Sequence, residues 1–236
     1  MHRVDAPEIL DSADCPPQDV RATLDVLGRV NRWFGGVATT RKMVEQVAQA
    51  TGATKLSLLE VAAGLGEVPD LVRQRLAKRG IALDVTLADL AQSHLPAANT
   101  GADPSRERYR IVADALALPF ADGSFDLVSC NLFAHHLNPQ PLAHFVAEGL
   151  RVSRRALLIN DLVRHPLHLA LAFAGYPLMG NRIAWLDGLT SVRRAYVPGE
   201  IRGIVLSPFS AETPARIEIS RHYLFRMGVI VWKKSA

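Results

Sequence analysis

The chain has 236 residues, of which 49% are hydrophobic and 21% charged, a composition that suits a folded α/β domain and excludes a disordered chain. Its net charge is +4, with a pI near 9.3. The basic residues are scattered in small groups such as Arg151/Arg154/Arg155 and Arg193/Arg194, without interleaved aromatics, so a nucleic-acid-binding surface is not expected. The basic bias leaves room only for weak contact with a membrane surface.

Residues 1 to about 18 are acidic and proline-containing and read as a tail. Asp19 is a plausible N-cap for a first helix, with Val20, Leu24, Leu27 and Val30 at helical spacing, stopped by Gly35-Gly36. A second helix spans about Thr39 to Thr51, ended by Gly52. Strands and helices then alternate. Strand one is about 56–61, followed by a glycine turn and a helix over about 67–79. Strand two is 82–88, ending at Asp89. A polar loop runs from Asn99 to Arg108, before a short strand at 109–112. Strand four is 125–130, a helix follows at about 139–153, and strand five is 156–161. Units of this kind imply a parallel sheet with right-handed crossovers. The stretch from Leu162 to Val197 is apolar without a strand pattern and reads as a helical cap. Pro198 opens a short helix. Two final strands, at about 216–219 and 225–232, lie close enough in sequence to pair antiparallel. The organisation expected is an N-terminal tail with lid helices over 1–55 and a catalytic α/β domain over 56–236, with the cap inserted at about 162–197.

Cys15 and Cys130 have no metal-like spacing, and Cys130 suits a small buried residue. The N-terminus lacks a signal-peptide core. The longest apolar run, Leu167 to Leu178, falls short of the roughly 20 residues a membrane span needs. A cytoplasmic setting is therefore expected.

The chemistry concentrates at Glu60-Val61-Ala62-Ala63-Gly64-Leu65-Gly66, between the first strand and its helix. Two glycines let backbone approach a ligand, and an acid ends the strand. A dinucleotide would need a third glycine, where Pro69 stands, and Glu67 would repel its phosphates. No Gly-Lys-Ser/Thr phosphate loop is present. An acidic turn suits a cationic cofactor instead.

On these residues the chain resembles the class I S-adenosylmethionine-dependent methyltransferases, particularly the small-molecule group of ubiquinone and menaquinone biosynthesis. The resemblance runs from about Leu56 to Asp161. It implies a Rossmann-like α/β fold with a seven-stranded, mostly parallel sheet and an antiparallel final strand, together with N-terminal helices and a helical cap. It also implies S-adenosyl-L-methionine as cofactor and S-adenosyl-L-homocysteine as product. Glu60, Ala62, Ala63, Gly64 and Gly66 fall in the first motif, with Ala62 replacing a frequent glycine. Asp89 and Leu90, roughly 20 residues on, match the ribose-binding position. Asp114 and Ala115 match the adenine-contacting pair. The segment 118–128 resembles the family's approach to strand four, and Asn131-Leu132 with the residues through Leu137 resembles the segment after it.

Arg32, in Arg32-Trp33-Phe34-Gly35-Gly36, is a candidate partner for the methionyl carboxylate; the competing reading is a helix C-terminus whose Arg favours the dipole. His135 and His136 follow strand four and are candidates for a catalytic base. A metal is not expected, because no coherent ligand set adjoins these histidines. The apolar cap predicts a hydrophobic small-molecule acceptor, with His165, Tyr176 and Trp185 as candidate contacts. The cap residues Asn160-Asp161, Asp187-Gly188 and Ser191 to Ala195 resemble those of phenolic or polyketide tailoring methyltransferases. O-methylation of a phenolic, quinol-like or polyketide acceptor is the expected reaction. A nicotinamide-dependent oxidoreductase and a non-catalytic cofactor- or nucleic-acid-binding module are the alternatives. The Asn/Asp-Pro-Pro-Tyr/Phe motif of amine-directed DNA methyltransferases is absent, and Asn131-Leu132-Phe133-Ala134 stands after strand four instead. Oligomeric state is not legible from the sequence.

Overall fold

A computed structural model describes residues 1–12, 15–95, 109–209 and 216–233. The loop expected at Asn99–Arg108 lies outside the described residues.

Seven strands form one sheet: β1 (Lys55–Val61), β2 (Ala82–Asp89), β3 (Tyr109–Val112), β4 (Phe125–Asn131), β5 (Ser153–Leu162), β6 (Arg216–His222) and β7 (Arg226–Trp232). Their order is β3-β2-β1-β4-β5-β7-β6. The first five are parallel, and β7 runs antiparallel between β5 and β6. The α/β fold and its antiparallel final strand are as the sequence implies.

The central strands are apolar on both faces because helices cover both sides. On β1, Leu56 and Leu58 face one core while Leu59 and Val61 face the other; on β5, Ala156 and Leu158 alternate likewise with Leu157 and Ile159. The first core is closed by α2 (Gly36–Thr51), through Met43 and Val44, and by α3 (Glu67–Ala77), through Val72 and Leu76. The second is closed by α4 (Pro139–Val152), through Leu142, Phe145 and Val146, and by α8 (Pro198–Leu206), through Ile201 and Val205.

The first helix, α1 (Pro17–Trp33), starts earlier than expected. Pro16 is its N-cap rather than Asp19. Pro17 at the first position has no N–H to satisfy and a preset φ, which leaves Asp19 in the first turn, where its charge favours the dipole. The segment 162–197 is helical: α5 (Pro166–Ala174), α6 (Tyr176–Met179) and α7 (Arg182–Arg194).

Residues 1–12 are not a tail leading into α1. They form a strap across α7. The Ile9 and Leu10 amides donate to the Asp187 carboxylate at 2.7 and 2.9 Å, and Val4 donates to the Arg193 carbonyl at 3.2 Å. Arg3 stacks on the Tyr196 ring at 4.5 Å. No local pattern in residues 1–12 marks this strap, because its partners, Asp187, Arg193 and Tyr196, lie far along the chain.

Candidate active site

The sheet order reverses between β1 and β4, and a crevice opens at the carboxyl ends of the strands on either side of such a switch point. A cavity of about 810 Å³ occupies it. Its floor is the glycine turn after β1. Gly64 and Gly66 have φ of 52° and 69°, a conformation costly for other residues, and Gly66 caps α3. Ala62 adopts φ 52° and Leu132, after β4, φ 54°. Ala62 and Leu132 both line the cavity, one on each side of the switch point. Such strain concentrates at functional sites.

The acidic residues are held differently. Glu60 is 2% exposed, and among the described residues its only side-chain partner is the Ser129 hydroxyl, which donates to it. Burial pushes its carboxyl up to about 7, against the lowering effect of that hydrogen bond. Asp89 braces the turn: its Oδ2 accepts from the Gly64 amide at 2.9 Å and its Oδ1 from the Ala91 amide at 3.0 Å. His94 Nδ1 stands 3.4 Å from Asp89 Oδ1, and that hydrogen-bonding partner raises the imidazole's pKa. Asp114 closes a local turn by accepting from the Leu116 amide at 2.8 Å. Leu90, 70% exposed, and Ala115 complete this end.

The other end of the cavity is built around His135 and His136, on a single 3-10 turn. Two arginines pin that turn through its carbonyls. Arg194 donates to His135 O at 3.2 Å and His136 O at 2.7 Å, and Arg3 donates to His135 O at 3.1 Å. Asp161, at the end of β5, accepts from the His135 amide at 2.9 Å and lies 2.7 Å from its Nδ1. The strap brings Glu8 to the opposite side, 3.4 Å from His135 Nε2 and 3.6 Å from His136 Nε2. Burial alone would lower His135, but the Asp161 and Glu8 carboxylates outweigh it and raise its pKa to about 9. An imidazole held protonated at neutral pH is poorly suited to accept a proton, which weighs against the expected base role of His135.

The structure brings Glu60, Ala62, Ala63, Gly64, Gly66, Asp89, Leu90, Asp114, Ala115, Asn131, Leu132, His135 and His136 to one cavity. It does not bring Arg32 there. Arg32 is exposed, one position round the helix from Asn31, which does line the cavity. Asn31 accepts a hydrogen bond from the buried Arg226 at 3.0 Å; Arg226 also donates to Asn131 and Asn160 and so ties α1 to the sheet. The roof of the cavity is the apolar face of α1: Val20, Leu24 and Leu27.

The acceptor contacts expected in the cap also lie elsewhere. His165 stacks on Phe225 at 5.1 Å, and Tyr176 and Phe173 pack on Trp185. None of the three candidates lines the cavity. No residue of α5 is buried, and Leu167, Leu171 and Phe173 face outward. The cap reaches the cavity instead through Ser191 of α7, whose hydroxyl donates to Glu8 at 2.8 Å. Composition located the cap's apolar content but not its direction. Among the described residues no helix is long and apolar enough to cross a membrane.

Residues 59–156 match the model of a methyltransferase domain family. Two curated relatives are described as ubiquinone/menaquinone biosynthesis C-methyltransferase UbiE. The one from Paracoccus denitrificans is 30% identical over 138 residues, covering 54% of this chain and 53% of the relative. The one from Dinoroseobacter shibae is 35% identical over 100 residues, covering 41% of this chain and 38% of the relative. The chain thus spans about half the length, or less, of the curated relatives it matches. Among solved structures, the plantazolicin methyltransferase BpumL superposes with a TM-score of 0.68 at 13% identity, over 92% of this chain and 91% of that one. Human N-acetylserotonin methyltransferase gives 0.62 at 11% identity, over 92% of this chain and 57% of that one. Residues 59–156 thus match a methyltransferase domain, and the chain shares its fold with methyltransferases of solved structure.

Proposed function

We propose that the protein transfers a methyl group from S-adenosyl-L-methionine to a hydrophobic small molecule, at or next to a phenolic or quinol-like hydroxyl. The observation that carries this is the buried Glu60 carboxylate beneath the glycine turn, with no cation beside it among the described residues. A positively charged cofactor fits that donor set; a pyrophosphate does not. The cofactor supplies a methyl group already activated on a sulfonium.

The residues of this chain then have distinct tasks. Glu60 and the Gly64–Gly66 backbone hold the cofactor's cationic end. Asp89 offers a braced carboxylate to its ribose, and Asp114 and Leu90 border its base. Leu24 and Leu27 of α1 exclude water from above. The acceptor enters between the strap and the His135–His136 turn, where Leu10, Phe133 and Leu137 give apolar walls. Methyl transfer needs a nucleophile aligned with the methyl carbon more than it needs side-chain chemistry.

The UbiE relatives are described as C-methyltransferases, which favours a ring carbon as a second reading. A deprotonated phenol is nucleophilic at its oxygen and at the adjacent ring carbons, so both outcomes begin at the same hydroxyl. Incubation with methyl-labelled S-adenosylmethionine and a panel of phenols and quinols, read by mass spectrometry and NMR, separates the two. Calorimetry with S-adenosylhomocysteine tests the cofactor directly; an absence of binding overturns the proposal.

A further inference from the structure

We propose that Glu8, His135 and His136 form a binding site for one divalent transition-metal ion of the zinc type, with an open position facing the cavity. A carboxylate oxygen and two imidazole nitrogens from these residues lie within 4.8 Å of one another, and all three residues line the cavity.

Four features favour a metal over a simple ion pair. First, the spacing is that of ligands rather than of hydrogen-bonded partners. Four ligands at about 2.1 Å around a tetrahedral ion stand about 3.4 Å apart. Glu8 Oε1 lies 3.4 Å from His135 Nε2, which matches one such edge, and Glu8 Oε2 lies 3.6 Å from His136 Nε2; both are longer than the hydrogen bonds of roughly 2.7–2.9 Å expected of charged partners. Second, His135 is 1% exposed, yet its Nε2 has no hydrogen-bond partner and points into the cluster. An unmatched buried imidazole nitrogen is costly unless something else occupies it.

Third, both histidines are oriented through their other nitrogen. His135 Nδ1 lies 2.7 Å from Asp161 and His136 Nδ1 lies 2.9 Å from Asp11. A carboxylate on Nδ1 orients each ring with Nε2 toward the cluster, the usual support of metal-ligating histidines, and an ion bound there would displace the Nε2 proton of the metal-free site. Fourth, the carboxylate ligand is itself positioned, by the Ser191 hydroxyl, on a strap anchored to Asp187. Two imidazoles and one carboxylate select zinc, cobalt, nickel or iron over magnesium or calcium.

Three protein ligands leave a fourth position, as in catalytic rather than structural zinc sites. Its use rests on the methyl-transfer reading: an acceptor hydroxyl oxygen filling that position would be oriented and made more acidic.

Metal binding is testable without any acceptor. Tag-free protein is stripped with a chelator, titrated with Co²⁺ and followed by visible absorption, and its zinc content after dialysis is read by mass spectrometry. One ion per chain, with the intense visible bands of a low-coordinate cobalt site, is expected. Glu8→Gln and His136→Ala should each weaken Co²⁺ binding at least a hundredfold. Asp11→Asn, which touches only the supporting carboxylate, should weaken it about tenfold. Retained S-adenosylhomocysteine binding and an unchanged circular dichroism spectrum show that a variant is folded. A wild-type protein that takes up no stoichiometric metal, or variants that bind it undiminished, overturn the proposal. Metal uptake without cofactor binding would leave this site standing and remove the methyl-transfer reading; cofactor binding without metal uptake does the reverse.

Discussion

Glu60 should be a destabilising residue in the ligand-free protein, and replacing it with Gln should make the fold more stable. Its carboxyl is buried against a single hydroxyl donor, and burial lifts its pKa from 4.5 to about 7. A raised carboxyl means that the folded state holds its proton more tightly than the unfolded chain. Below about pH 4.5 both states are protonated and the penalty is absent. As pH rises towards 7 the unfolded chain releases its proton first, and stability falls; above 7 the penalty is constant. The interval between the two values corresponds to about 3 kcal/mol. Gln at this position keeps an oxygen to accept the Ser129 hydroxyl and carries no charge. Urea unfolding of wild type and Glu60→Gln at pH 5 and pH 8.5 isolates this group, because other titrations cancel in the difference. The stability advantage of the variant should grow by about 2–3 kcal/mol between the two pH values. The same substitution should cost at least tenfold in S-adenosylmethionine affinity, since the cation loses its counter-charge. A stability difference that stays flat with pH would refute the reasoning.

Other substitutions follow from the same geometry. Ala62→Gly should stabilise the protein by about 0.5–1 kcal/mol in chemical denaturation, because the left-handed φ of 52° costs more for alanine than for glycine. Arg226→Met should destabilise it by about 3 kcal/mol, seen as a lower urea midpoint, by stranding the carbonyls of Asn31, Asn131 and Asn160. Asp126 lies at the far end of β4; burial raises its carboxyl, but the Ser57 amide and the Arg155 and Arg154 side chains bring it down to about 2. Its contribution is therefore complete above about pH 4 and lost as pH falls through 2, so Asp126→Asn should flatten the acid limb of the stability profile. Asp187→Ala should free the strap and raise the acceptor KM severalfold while leaving S-adenosylhomocysteine affinity within about twofold, since the Ile9 and Leu10 amides lose acceptors at 2.7 and 2.9 Å.

The sheet was legible because its signals are local. Apolar strands buried on both faces, a glycine pair at a strand end and acids after successive strands each lie within a few residues. What failed depended on distant partners. Arg32 and Asn31 differ by about 100° round a helix, and only the Arg226 side chain, from the last strand, shows which one turns inward. The cap aromatics read as cavity walls, but Phe173, Tyr176 and Trp185 satisfy one another. Glu8 had no periodicity to mark it. Its role depends on Ser191 and on a histidine turn in mid-chain, and no composition rule links them.

The strap also sets an order of assembly. The cofactor end of the cavity joins turns that neighbour one another on β1 and β2, whereas the Glu8–Ser191 bond closes a separation of 183 residues. Ordering so long a loop is slow and is favourable only once both sides exist. The strap should therefore dock last and open first. The Ile9 and Leu10 amides should exchange their hydrogens well before those of β1 and β4, in a species whose cofactor floor is still intact. Under the proposed methyl-transfer function, a protein built this way would hold its methyl donor while its acceptor end is still unmade.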